Sequence, residues 1–259
     1  MPEPVFHLDD DLIVPTELAR GPWDPKGQHG GPVAAALARA IENCEPGEDV
    51  FVMRVVVDLL RPVPLTPLRA QAAMTRGGKR VQLVDASLFA GDELVARASA
   101  WRRRASKTDT PLVSKARPMA ASPDEGSVWK PRMDGLGFWS AVEWRFVSGE
   151  FEGIGPAGGW CRLRVPLFEG EEPTPLQRTL VAADFGNGIS GELDFFRYLF
   201  INVDLAVHLH RLPSGEWIGV DATTSAGNEG IGVARTTLHD NSGPIGAGAQ
   251  QLYIDHRPV

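Results

Sequence analysis

Three polar residues, distant along the chain, fall on strand-like segments where their chemistry could be combined: Asp204, Thr223 and Gln250. Asp204 interrupts an apolar run, Tyr198-Leu-Phe-Ile-Asn-Val-Asp-Leu-Ala-Val. A carboxylate in such a place is costly unless it is hydrogen-bonded or put to use. It can take a proton from water, while a hydroxyl and an amide hold that water in place. None of the three is a covalent nucleophile in this reading, so the chemistry they suggest is direct attack by water. Plainer readings stand beside this one. Asp204 can sit at a wet strand end or pair with Arg211, and Thr223 alone is an ordinary strand or turn residue. Gln250 closes Gly246-Ala-Gly-Ala-Gln, small residues that permit a close approach. Gln251 follows it, but side chains alternate across a strand, so only one of the two faces a given site.

A complementary half lies at His29-Gly30-Gly31, before an Ala-rich helical pattern. Amide groups at a helix N-terminus can stabilise a developing oxyanion, and paired glycines let a carbonyl come near the main chain. A glycine-rich turn entering a helix is the plain alternative. Other chemistries lack their signatures. Gly186-Asn-Gly188-Ile-Ser-Gly191 matches a dinucleotide fingerprint by letter, but a helical pattern precedes it where a strand is required. No Gly-x-Ser-x-Gly elbow occurs, and the six histidines form no zinc pattern. No metal and no cofactor are therefore expected.

The elements that must position these residues read as one unit written twice, near 29–104 and again, more loosely, near 174–257. The first copy has a helix opening at Pro32, with Val33, Ala36, Leu37, Ala40 and Ile41 at helical spacing, ended by Pro46-Gly47. A β-branched strand over Val50–Leu60 follows, then alternating strands over Leu68–Arg76, Arg80–Phe89 and Glu93–Arg103, split by the turn signals Gly77-Gly78 and Gly91-Asp92. The second copy has a helix over Leu176–Phe185, one long strand over Leu199–His210, and strands over Glu216–Thr224, Gly230–Leu238 and Ile245–Ile254. Matching the turn Gly243-Pro244 to Gly91-Asp92 sets Gln250 opposite Ala98. For the long strands, the shared Val-Asp-Leu would set Asp58 opposite Asp204. Aligning Arg61 with Arg211 sets Arg54 there instead, and is preferred because the strand ends then agree. The polar trio belongs to the second copy alone. Helix plus antiparallel meander is an α+β pattern.

Whole-chain numbers narrow the partners. The 259 residues are 43% hydrophobic and 23% charged, ordinary for a globular protein with a real core. A net charge of −7 gives no electrostatic footprint for nucleic acid. Cys44 and Cys161 are too few for a disulfide framework, which fits reduced thiols and a cytoplasmic location. The N-terminus lacks signal-peptide zones, and no apolar run approaches a membrane span.

Taken together, these segments resemble the acyl-CoA thioesterase II family. The carrying residues are His29-Gly-Gly-Pro-Val and Leu60-Arg61-Pro62 in the first half. In the second they are Val203-Asp204 with His210-Arg211, Asp221-Ala-Thr223, and Gln250 in the last strand. The resemblance implies a double hotdog, two fused hotdog folds with antiparallel sheets each wrapped around a central helix. The halves are expected at 1–104 and 136–259, joined by a linker at 105–135. It further implies metal-free hydrolysis of acyl-CoA to free acid and CoA. The water-activating Asp, Thr and Gln fall on Asp204, Thr223 and Gln250, with Thr224 or Ser225 as substitutes if the turn slips. His29, Gly30 and Gly31 take the oxyanion and substrate-binding role. Arg76, Lys79, Arg80 and Arg102–Arg104 are candidate CoA contacts, and self-association into a homo-oligomer is expected. Two rival classes are a dehydratase or hydratase acting on acyl thioesters, with His208 or His29 as base, and a non-catalytic acyl-thioester binder.

Overall fold

A computed structural model describes residues 2–47, 49–105, 110–132 and 135–257. The N-terminal hairpin is β1 (Phe6–Asp9) and β2 (Leu12–Pro15). The first half continues with α1 (Gly30–Asn43), β3 (Val50–Leu59), β4 (Leu68–Arg76), β5 (Val81–Ala90) and β6 (Glu93–Arg104). The second half comprises β7 (Ser127–Val128), α2 (Phe138–Ala141), β8 (Val142–Ser148), β9 (Ala157–Leu163), α3 (Pro175–Asp184) and the one-turn α4 (Gly186–Ile189). It closes with β10 (Tyr198–Asn202), β11 (Asp204–Leu209), β12 (Ile218–Ala226), β13 (Ile231–Asp240) and β14 (Gly243–His256).

All described strands join one 14-stranded sheet, in the order β1-β2-β4-β5-β6-β3-β11-β14-β13-β12-β9-β8-β7, with β10 also paired to β14. The halves meet edge to edge where β3 pairs antiparallel with β11, setting Asp58 beside Asp204 and His208 beside Arg54. Each half lays its sheet around a helix, the double-hotdog arrangement. Part of the expected linker is structured: Ser127–Val128 pairs with β8 and so extends the second half's sheet. Residues 106–109 and 133–134 of that segment lie outside the described residues.

α1 is small-sided because two layers press on it. Val33 through Ala38 and Ile41 are buried, and small side chains let α3 lie alongside. The two helices run antiparallel: Gly30 meets Asp184, while Glu42 meets Thr174 and Gln177. Burial of Leu37 and Ile41, each about 1.5–3 kcal/mol, fixes α1 against the sheet. α3 carries a capping box from Thr174 and Gln177, with Pro175 in its first turn.

Two registers differ from those read in the sequence. The second-half hairpin turns at Asn241-Ser242, between Asp240 and Gly243, so Gly243 opens β14 instead of forming the turn. Ala90–Glu93 then corresponds to Asp240–Gly243, and Gln250 stands opposite Ala100, not Ala98. This interval is also the one that carries Arg61 onto Arg211, so the preferred alignment of the long strands agrees with the hairpin. Second, the strand expected over Leu199–His210 breaks at Val203. Phe200 and Asn202 are buried before the break, Leu205 and Val207 after it. Inward positions are even-numbered on one side of Val203 and odd-numbered on the other.

Candidate functional site

The break at Val203 decides which polar residues meet. A continuous strand would have turned Asn202 and Asp204 to the same face. Instead Asn202 points inward at 8% exposure, and Asp204 lies on the other face. Asp204 Oδ1 accepts the Gln251 amide at 2.6 Å, at an exposed position on the joint between the halves. Thr223 is exposed on β12, opposite Arg235. Gln250 is buried at 1% exposure. The structure therefore does not bring Asp204 and Thr223 together with Gln250.

What Gln250 does meet is Asp184, the last residue of α3. Gln250 Nε2 donates to the Asp184 main-chain oxygen at 3.0 Å and lies 3.5 Å from its Oδ1. Asn202 Nδ2 donates to the same Oδ1 at 2.9 Å. Gln250 Oε1 in turn accepts the Asn187 amide at 3.0 Å, which locks the side-chain amide's orientation. Asn187 Nδ2 donates to the Phe200 carbonyl, tying α4 to β10. Asp184 is 3% exposed. Sequence reasoning passed over Asp184 and Asn202.

The glycine-rich segment reaches this carboxylate from the other half. His29 caps α1, its Nδ1 accepting the Gly31 amide at 3.0 Å. The same Nδ1 lies 2.9 Å from Asp184 Oδ2. A Cβ added at Gly30 would stand 2.6 and 2.7 Å from the two Asp184 oxygens, so only glycine lets the helix tip close on the carboxylate. The positive end of the α1 dipole faces Asp184 there, which favours the anion. The His29 ring packs against Phe138 and Phe185, with centroids 5.1 and 4.5 Å away. His29, Gly30 and Gly31 are thus where the sequence placed them, but they face Asp184 and not Asp204.

Thr224, the substitute hydroxyl, faces inward and meets Ser190 Oγ at 2.8 Å. Ser190 also donates to the Gly186 carbonyl, so this pair braces α4. Gly186 itself is needed for packing, because a Cβ there would stand 2.9 Å from Gln250 Oε1. The glycines of the dinucleotide-like fingerprint serve this turn, which follows a helix.

Arg211, part of the His-Arg pair near the end of the second repeat's crossing strand, forms a bidentate ion pair with the fully buried Asp240. Burial pushes the Asp240 carboxyl up, but Arg211 and the groups of Ser214 and Ser242 outweigh it and hold it at about 2. This pair anchors the β13–β14 hairpin and not the reaction. Arg102, one of the candidate CoA contacts, is buried and bonds to the Ile41 and Cys44 carbonyls. An open cleft of about 510 Å³ lies at the opposite end of the α1–α3 pair, away from Asp184. His29, with 13% of its side chain exposed, is the most open of the groups bonded to the Asp184 side chain. Among the described residues no cluster of His, Cys, Asp and Glu could hold a metal, and no helix is long and apolar enough to cross a membrane.

Comparison with known proteins shows the family. Residues 19–103 match the acyl-CoA thioesterase N-terminal domain, and residues 114–254 match the acyl-CoA thioesterase C-terminal domain. No curated protein matches the chain. Among solved structures, a conserved protein of unknown function with a hot dog fold from Alicyclobacillus acidocaldarius superposes with a TM-score of 0.77 at 13% identity, over 97% of this chain and 96% of that one. A putative thioesterase II from Thermobifida fusca gives 0.75 at 16% identity, over 98% and 95%. An acyl-CoA thioesterase II from Mycobacterium marinum gives 0.65 at 16%, over 97% and 94%. At these identities the structures establish the fold.

Proposed function

Because this chain belongs to the acyl-CoA thioesterase family, we propose that it hydrolyses an acyl-CoA thioester to a free acid and CoA with Asp184 as the general base. The observation that carries this reading is the convergence of Asn202, Gln250 and His29 on one buried carboxylate at a glycine-lined helix tip. Asp184 takes a proton from water as the water oxygen bonds to the thioester carbonyl carbon. Asn202 and Gln250 hold the carboxylate and the water in line. The carbonyl oxygen gains the negative charge, and the Gly31 N–H at the tip of α1, once released from His29 Nδ1, donates to it. When the tetrahedral intermediate collapses, the C–S bond breaks and Asp184 returns its proton to the departing thiolate.

Two amides beside the acid, in place of a hydroxyl and an amide, suit this role. Each offers N–H donors to a carboxylate and an oxygen to a water. The aromatic cover of Phe138 and Phe185 over His29 keeps bulk water from the carboxylate, so the acyl group enters by displacing part of that cover. The free thiols Cys44 and Cys161 fit a reducing compartment such as the cytoplasm.

The test is thiol release from a series of acyl-CoAs by Asp184→Asn. Loss of turnover by about 10²–10⁴-fold is expected for removal of a general base, with the unfolding midpoint retained. Turnover equal to wild type would remove Asp184 from the mechanism.

One observation favours a second reading. An imidazole in contact with a carboxylate is also an acid–base pair for water loss from a hydroxyacyl thioester, with His29 as base. Incubation with a hydroxyacyl-CoA separates the two, since conjugated product without thiol release belongs only to the dehydratase.

A further inference from the structure

The loop between α4 and β10 carries Phe195, Phe196 and Arg197 in succession, and none of them is used by the proposed hydrolysis. Asp194 shapes the loop. Its Oδ1 accepts the Phe196 amide at 2.8 Å, and its carbonyl accepts the amides of Arg197 and Tyr198. The turn leaves Phe196 84% exposed, the most open large apolar side chain among the described residues. Its ring meets the half-buried Phe195 edge-on at 5.6 Å, and Phe195 lies 5.1 Å from the half-buried Trp23 of the first half. A lone exposed ring needs no explanation, but three rings in contact across both halves form a platform.

Two guanidinium groups accompany these rings. Arg257 lies over Phe195 at 4.2 Å and over Trp23 at 5.1 Å, and Arg197 is 5.8 Å from the centre of the Tyr198 ring. The Arg257 amide donates to the Arg197 carbonyl at 3.0 Å, so the two residues are neighbours. Among the described residues neither has a carboxylate partner. The acids closest to them along the chain are occupied: Asp194 by the Phe196 amide, Asp255 by Tyr253 and the His256 amide. Arg197 is exposed and can touch a ligand directly. Arg257 lies flat on its rings, with Nε and Nη2 buried, and contributes its charge instead. On a chain of net charge −7, two adjacent cations without counter-ions make a local field that attracts an anion.

The platform is joined to the Asp184 cluster through Phe200. Trp23 meets the Phe200 ring edge-on at 5.0 Å, and the Phe200 carbonyl accepts Asn187 Nδ2. The Asn187 amide is in turn held by Gln250. We propose that this platform binds the nucleotide end of CoA, a phosphorylated adenosine, with the purine stacked on Phe196 and a phosphate paired with Arg197. An exposed ring matches the flat face of a base, and a guanidinium matches phosphate oxygens. The inference rests on the reading of this chain as an acyl-CoA hydrolase. Its test reads binding alone, so failure of the platform and failure of hydrolysis at Asp184 give different results.

Calorimetric titration of the full chain with adenosine 3′,5′-bisphosphate, the nucleotide end without the thiol arm, is the experiment. It is run on wild type, Phe196→Ala, Arg197→Gln and Asp184→Asn. Phe196 and Arg197 are both exposed, so their variants keep the core intact. Saturable binding is expected, weakened about tenfold by Phe196→Ala, within the range of base–aromatic stacking. Arg197→Gln should weaken it by a similar factor, and added salt should weaken the wild type more than this variant. Asp184→Asn should keep the affinity within about twofold, whatever it does to turnover. The proposal is overturned if the bisphosphate gives no saturable heat, if Phe196→Ala or Arg197→Gln binds it as wild type does, or if Asp184→Asn abolishes binding. A wild-type dimer that Phe196→Ala dissolves, with nucleotide affinity unchanged, would assign the platform to self-association and overturn it too.

Discussion

His29 Nδ1 lies 2.9 Å from Asp184 Oδ2 while also 3.0 Å from the Gly31 amide, so one ring nitrogen serves two partners with opposite requirements. An ionised Asp184 needs a proton on Nδ1, and the Gly31 amide needs a bare lone pair there. A neutral imidazole nitrogen satisfies one at a time. When Nδ1–H turns to the carboxylate, the Gly31 N–H is released to an incoming oxygen. On the proposed mechanism, one tautomer would serve both the base and the oxyanion donor.

This coupling separates two variants at one position. Asn is a good helix cap but too short to hold Asp184, whereas Ala is neither. His29→Asn should keep the urea midpoint near wild type, and His29→Ala should lose about 1 kcal/mol from the cap. Both should lower kcat about 10–100-fold, the usual scale for a lost orienting partner. Full turnover in His29→Asn would show that the ring's contact with Asp184 is idle.

Gly30→Ala tests the closeness of the helix tip. The new methyl would stand 2.6 Å from Asp184 Oδ1, and neither α1 nor the carboxylate can give way without losing the contact. Thiol release should fall about 10²-fold, the scale of a 1 Å misplacement of reacting groups, while far-UV circular dichroism stays unchanged. A Gly30→Ala enzyme at wild-type kcat/KM would refute the placement of the site.

The strand break at Val203 gives opposite expectations for neighbouring positions. Asn202→Leu removes a donor to the buried Asp184 and should lower kcat about 10²-fold, at the low end for a group acting in the proton transfer. Asp204→Asn changes a half-buried acid whose oxygen caps the Gln251 amide, and an amide oxygen can accept that bond too. Its kcat should stay near wild type. The reverse order of effects in a thiol-release assay would restore Asp204 to the reaction.

The Arg211–Asp240 pair sets an acid limit on stability. Asp240 titrates at about 2 in the folded chain against an ordinary 3.8, so its stabilising contribution is complete above pH ~4 and fades as pH falls toward 2. Arg211→Met leaves a buried carboxylate without its cation and should cost about 3–5 kcal/mol at neutral pH. Urea titrations at pH 7 and pH 3 should show the variant's deficit shrinking in acid. A deficit that is constant with pH would assign the loss to packing.

Much of the architecture was legible because its signals are local. α1, β4 and the Gly91-Asp92 hairpin follow from periodicity and turn chemistry in a few consecutive residues. Gln250 and the His29–Gly31 tip were readable because small residues around them announce a close approach. Asp184 and Asn202 were not. No glycine or proline lies between Tyr198 and His210 to signal that Val203 rephases the strand, and Asn202 stands beside a more conspicuous acid. Yet one clue was present. Leu180-Val-Ala-Ala-Asp184-Phe places an acid at a helix C-terminus, where the dipole opposes negative charge. Such an acid needs compensation from elsewhere in the fold, and here the compensation is another helix's N-terminus.

Two identical hotdog units docked about a twofold axis would be bound to carry the same groups at both tips of their paired helices. A single chain spanning both units is released from that symmetry. One tip can hold Asp184 against Gly30 while the other holds Glu42 against Thr174, each tuned by substitutions its counterpart never feels. Fusion thus turns a redundant pair of positions into two independent ones, at no expense to the shared sheet that supports them.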